Sequence, residues 1–228
     1  METSLHRELK SFYAESEDAV EVRHGAYRID AIRDDELIEI QFASLSSIRD
    51  KVAELVAHSC VRIVKPIVAR RRIIRQDEPD GPVISRRLSP KRGSPLDLFD
   101  ELVFLTRVFP HPNLTIEVPM VNVEEWRLPP KMRKRRRGRF RPKHQVKDVI
   151  LQEIVSTHVF SSLESLLQLI QVDELPNPFD TSDLAKHLQR SRPAAQRIAY
   201  FLRKTGAVKE QGKRGNAMLY ARRIRRAS

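Results

Sequence analysis

The apolar positions change period several times along the first 128 residues. Leu5–Tyr13 carries a helical pattern. Val20–Val22, Tyr27–Ile32 and Leu37–Ile40 alternate or run apolar, with the turn-like His24-Gly25 and Asp34-Asp35 between them, and they predict a meander of three short strands. Leu45–His58 places Leu45, Ile48, Val52 and Leu55/Val56 at helical spacing, and Val61–Val64 and Ile67–Val68 follow as strand material. The order is helix, three strands, helix, strand, so the fold class expected is α/β with one mixed sheet flanked by helices. A second amphipathic helix is predicted over Leu96–Phe109, closed by Pro110-His111-Pro112. Further strands are expected at Leu114–Val118 and Val121–Val123.

The pattern renews itself near the C-terminus. Asp180-Thr181-Ser182-Asp183 offers N-cap side chains ahead of a short helix that holds Leu184 and Leu188 on one face. Pro193 suits the first turn of the next helix, in which Ala195, Ile198, Ala199 and Leu202 share a side and Gly206 fits the C-cap. AVKEQ and AMLYARR then read as two strands joined across the turn-rich GKRGN. Breaks at Gln76–Pro95, Leu128–Pro142 and Leu175–Phe179 divide the chain into an α/β domain at 1–128, a basic connector with a helical region at 129–176, and a C-terminal domain at 177–228.

Charge changes this picture. The net charge is +12, but residues 131–143 alone hold nine Lys/Arg and no acid, and residues 177–228 hold thirteen Lys/Arg against three acids. The remainder is net acidic. A basic excess confined to one stretch and one module points to a polyanion, with nucleic acid ahead of an anionic membrane surface because the stretch lacks the apolar spacing of an interfacial helix. The candidate contacts include Arg135, Arg136 and Arg137.

Helix, short turn, helix and basic-tipped hairpin together resemble a winged helix-turn-helix over about fifty residues. The resemblance implies a recognition helix at Pro193–Thr205, with Gln196 and Arg197 addressing base edges of duplex DNA. It also implies that Arg192, Lys213 and Arg214 contact phosphates, with Tyr200 on the same side of the helix or packed against the wing. Modules of this shape also dock proteins.

The N-terminal order, with Asp30 in YRIDAIR and Glu39 and Gln41 in LIEIQ, resembles the PD-(D/E)XK (restriction-endonuclease-like) nuclease superfamily. LIEIQ followed by a winged helix is also similar to an uncharacterised bacterial family. The nuclease resemblance implies that Asp30 and Glu39 hold a divalent cation, Mg2+, which activates water for phosphodiester attack, and that the opening helix adds an acid, for which Glu8 is the nearest equivalent. The lysine expected two residues past the second acid is Gln41 here. An E-x-Q variant, or a lysine from the next helix, where Lys51 lies, would fill that role. If neither acid is functional, both are strand-end charges paired with Arg28 or Arg49.

Other chemistries are excluded by what the chain lacks. There is no G-x-x-x-x-G-K-[ST] loop, no G-x-G-x-x-G fingerprint and no G-x-S-x-G elbow, so no nucleotide cofactor is expected. The seven histidines show no ligand spacing, and Cys60, as the single cysteine, rules out a disulfide framework and a multi-cysteine zinc site. No apolar run is long enough for a membrane span and no signal-peptide core opens the chain, so a cytoplasmic protein is expected. Two readings remain: a metal-dependent endonuclease delivered to DNA by its C-terminal module, and a non-catalytic DNA-binding regulator that keeps a nuclease-like scaffold.

Overall fold

The structure is a computed structural model and describes residues 2–130 and 144–223. Helix α1 (Ser4–Tyr13) precedes the meander β1 (Val20–His24), β2 (Tyr27–Arg33) and β3 (Glu36–Ile40), as the spacing predicts. Helix α2 is shorter than the periodicity suggests: a turn of 3-10 helix at Leu45–Ser47, capped by the Ser44 hydroxyl, leads into Arg49–Leu55. Strand β4 (Val61–Val64) then pairs parallel to β3, with Leu37 opposite Val61 and Ile40 opposite Val64.

Strand β7 (Leu114–Leu128) is the spine of the sheet. It runs without a break through Pro119, where two separate strands were expected. On one edge it pairs parallel first with β4 and then, from Met120 onward, with β5 (Ile67–Gln76), so β4 and β5 lie end to end beside it. On the other edge it pairs antiparallel with β8 (Gln145–Phe160) over nearly its whole length. Strand β6 (Val83–Leu88) completes the eight-stranded mixed sheet on the far side of β5, inside the break at Gln76–Pro95.

Two expectations are corrected by this arrangement. Among the described residues of 129–176 the helical region is α4 (Leu163–Ile170), but the largest element is an unforeseen strand, the sixteen-residue β8, rich in β-branched residues and paired with β7. The segment Leu96–Phe109 does not form one long helix. A capping box on Ser94 starts a 3-10 turn at Pro95–Leu98, α3 spans only Phe99–Leu102, and turns follow. Its apolar residues Leu98, Leu102, Leu105 and Phe109 are nonetheless fully buried, so the periodicity reported burial correctly and helix length wrongly.

Helices α5 (Thr181–His187) and α6 (Arg192–Lys204) and the hairpin β9 (Val208–Arg214)–β10 (Ala217–Arg222) follow in the predicted order. Asp180 closes a capping box with Asp183 at the start of α5, and the hairpin turns at Gly215-Asn216, where Gly215 takes φ +58°. The boundary read at residue 177 does not divide the core. One cluster runs from Ile63, Leu98 and Phe99 through Ile170 and Phe179 to Ile198, Phe201 and Val208, and the rings of Phe99 and Phe201 meet edge to face 5.6 Å apart. A second cluster on the other face of the sheet joins Leu5, Leu9 and Tyr13 of α1 to Ile38, Ile40, Val121 and Val123. Among the described residues no helix is long and apolar enough to cross a membrane.

Candidate functional site

The antiparallel register of β2 and β3 (Ala31 opposite Ile38) sets Asp30 across from Glu39 one step further along. Strand alternation fails at Asp30. Ile29 packs in one core cluster and Ala31 in the other, whereas a regular strand would put both on one face. Opposite this break, Glu21 of β1 holds φ +57°. The irregularity frees Asp30 to turn its carboxylate to the strand end, where Oδ2 accepts the backbone N–H of Ile40 at 2.9 Å.

Each acid has its own lysine. Lys10 of α1, almost fully buried, reaches Glu2 at 2.8 Å, Glu21 at 2.6 Å and Asp30 at 3.3 Å. His6, one helical turn earlier, sets Nε2 3.7 Å from Asp30 Oδ2. Lys51 of α2 pairs with the buried Glu39 carboxylate and donates to the Arg28 carbonyl at 2.6 Å. Burial disfavours the charge on Asp30, but the His6 contact, the Ile40 N–H and Lys10 outweigh it and hold the group below its ordinary pKa. For Glu39 burial wins over Lys51, and its pKa is raised. Burial also opposes the charge on Lys10, yet the surrounding carboxylates prevail and raise its pKa.

Of the five residues proposed for this site, Asp30 and Glu39 lie opposite one another on β2 and β3, and Lys51 joins Glu39. Gln41 stands at the end of β3 with its side-chain amide donating to Ser47 Oγ at 2.7 Å. Glu8 is a correction: it lies exposed on the outer side of α1, and the helix serves Asp30 through His6 and Lys10 instead. Glu2, His6 and Lys10 recur at four-residue intervals, so they form one helical stripe, a signal that a search for acids alone passes over. Arg28 pairs with Glu21 and Arg49 with Asp50, rather than with Asp30 or Glu39.

Among the described residues no three His, Cys, Asp or Glu side chains gather as a metal set. Mg2+ asks for less, since it is usually held by one or two carboxylates, with water and substrate phosphate completing its octahedron. Asp30 and Glu39 supply two such hard oxygen donors on paired strands, each already held by a lysine.

The C-terminal candidates divide by face. Arg192, Gln196 and Tyr200 are exposed along one stripe of α6, extended by Arg203 and Lys204, which flank the Tyr200 ring at 5.9 and 5.8 Å. Gln196, Tyr200 and Arg203 line a cavity of about 250 Å³ between α6 and the hairpin, together with Thr181, Met218 and Tyr220. Arg197 is a correction. It leaves this stripe and donates to Asp100 of α3 at 2.9 Å, while Arg190 pairs with Asp97. Arg214 is not a free tip residue either, because it turns back on Asp180 and Asp183 at the start of α5. Lys213 remains exposed beside the turn. Arg135, Arg136 and Arg137 lie outside the described residues.

A mixed α/β sheet with an acid-and-lysine cluster at one strand end is thus the class of protein defined here. Within that class the chain belongs to the family described as a domain of unknown function, DUF8091, which matches residues 3–161, from α1 to the end of β8. It is also similar to an uncharacterised protein of Treponema pallidum (strain Nichols), 31% identical over 222 residues, covering 96% of this chain and 84% of the relative. That likeness extends past the family match into the C-terminal helices and hairpin. No solved structure matches the chain.

Proposed function

We propose that this protein binds duplex DNA and cleaves it as a metal-dependent endonuclease, with a PD-(D/E)XK-like α/β body and a C-terminal winged helix-turn-helix. The observation that carries the reading is the register of β2 and β3, which sets Asp30 opposite Glu39, with Lys51 of α2 on the Glu39 carboxylate. The element order supports it: a helix, an antiparallel meander, a helix, and a fourth strand parallel to the third. Asp30 and Glu39 would hold Mg2+, which when bound polarises the phosphodiester and lowers the pKa of water. Lys51 stands in for the lysine absent at Gln41: it fixes the Glu39 carboxylate and brings an ammonium group toward phosphate charge. Lys10 and His6 orient Asp30. On the α6 stripe Gln196 faces base edges beside Tyr200, and Arg192 and Lys213 reach phosphate. A cytoplasmic setting, with Cys60 a free thiol, belongs to the same proposal.

The second reading, a DNA-binding regulator on a nuclease-like scaffold, draws on one observation: both acids are already neutralised from within, Asp30 by Lys10 and Glu39 by Lys51. Full-length protein with supercoiled and linear duplex in Mg2+ or Mn2+ separates the two. The expected result is metal-dependent nicking that Asp30→Asn and Glu39→Gln each abolish while duplex binding persists. Absence of both nicking and metal-induced thermal stabilisation would leave the scaffold reading standing. Absence of duplex binding at low salt would remove both.

A further inference from the structure

Far along the sheet from the acids, the paired registers of β5, β6 and β7 collect a row of arginines. Ile73 lies opposite Glu125 on one side and Arg87 on the other, and Arg75 lies opposite Arg127 and Ser85. Residues in register share a face, as do residues two apart on a strand, so Arg71, Arg75, Arg87 and Arg127 surround Glu125 on one face. It is the face that α1 covers further down, through Val123.

Glu125 is buried and acts as the anchor. It takes Arg71 at 2.8 Å and Arg127 at 2.5 Å, with His144 Nε2 3.9 Å away. Arg75 and Arg87 are exposed and pair with no carboxylate among the described residues. Two of the four guanidinium groups thus share one carboxylate, and the other two have none among the described residues. Burial first, then the nearby Arg127, Arg75 and Arg71, push the His144 imidazole below its ordinary pKa, as a local positive potential would. The spread from Arg71 to Arg75 is roughly 13 Å at about 3.3 Å per residue, which suits a run of phosphates better than a single small anion. Four residues beyond Arg127 the sequence enters the stretch 131–143, with nine Lys/Arg, and His144 closes it.

We infer that this arginine face of β5, β6 and β7 is a second binding surface, for the phosphodiester backbone of duplex DNA, apart from the α6 stripe. The inference rests on the proposed DNA binding and adds where the backbone lies. Arg71 and Arg127 are held by Glu125, and Arg75 and Arg87 supply charge that no carboxylate among the described residues pairs. Backbone contacts of this kind position a duplex without reading its sequence.

The test measures duplex affinity of the full-length protein across a salt series. The variants are Arg75→Ala/Arg87→Ala and a control of equal charge loss elsewhere, Arg23→Ala/Arg107→Ala, both residues being exposed. Each lost phosphate contact should lower the log–log salt slope by about 0.9, so the Arg75/Arg87 variant should lose about 1.8. The control slope should hardly move, and melting temperatures should match the wild type. Equal slopes for the two variants would overturn this surface while leaving DNA binding intact. Failure of the wild type to bind duplex at low salt would overturn the DNA reading itself, and this surface with it.

Discussion

The two ends of this molecule handle charge in opposite ways. In the acid cluster of β2 and β3 each carboxylate is matched: Asp30 and Glu21 by Lys10, and Glu39 by Lys51, with Lys10 and Glu39 both buried. Along α6 the charged and polar groups stand exposed, and two of its arginines are matched only at the surface, Arg197 across to Asp100 of α3 and Arg203 to Glu210 of β9. A buried ion pair is costly to break because the partner left behind cannot regain water, whereas an exposed one is nearly free. The first region is therefore built to hold geometry and the second to meet a partner. Yet both are attached to one core, and three measurements test how far that contrast goes.

The largest effect should come from the shared core. Phe201→Ala empties a fully buried site against Phe99 and should cost about 3–5 kcal/mol, read by urea unfolding. If the regions fold as one unit, the whole protein should still melt in a single transition at lower denaturant. Two separated transitions would show that the continuous cluster does not couple them.

Next comes the buried charge. Lys51→Met leaves Glu39 without its cation and should cost about 3 kcal/mol at neutral pH, the low end for a broken buried pair because Lys51 is partly exposed. The folded-state pKa of Glu39 is already raised by burial, so its neutral form suits the fold. A raised carboxyl pKa stabilises the fold below the unfolded value, near about 4.3, and loses that contribution as pH climbs through the folded value. The Lys51→Met penalty should accordingly shrink toward pH 4 in thermal melts. A penalty independent of pH would mean that Glu39 does not depend on Lys51.

The smallest effect is expected at the seam. Arg197→Ala removes an exposed pair with Asp100 and should cost only about 0.2–1 kcal/mol, without changing which duplex sequences are preferred. Competition binding against random duplex would read this. A changed preference would return Arg197 to the DNA-facing stripe from which its contact with Asp100 removes it.

Much of this was legible from pattern. The meander, α1, α5, α6 and the closing hairpin follow from local period, caps and glycines, because their neighbours in space are also neighbours in sequence. Strand β8 was not, because its partner β7 lies across the whole of the basic stretch, and Val146, Val149, Ile150 and Ile154 fit a helical face as readily as a strand. At the acid cluster Asp30, Glu39 and Lys51 were read from spacing and resemblance. Lys10 was not, since a lysine on an amphipathic helix looks solvated until the break in β2 turns Asp30 toward it. Arg197 failed for the complementary reason: one residue's rotation around α6 separates Gln196, which is exposed, from a neighbour facing α3.

The end-to-end placement of β4 and β5 along one edge of β7 has a consequence for the chain as it leaves the ribosome. Both strands are complete some forty residues before β7 begins, and β5 has no partner but the antiparallel β6 in the interval. An unpaired strand edge is a template for aggregation, and it is commonly guarded by charge. Strand β5 carries Arg70, Arg71, Arg72 and Arg75 along its length, so mutual repulsion would keep waiting copies apart until β7 arrives with Glu124 and Glu125 to pair with Arg72 and Arg71. The order of synthesis and the placement of charge thus agree, with the acids supplied by the later strand.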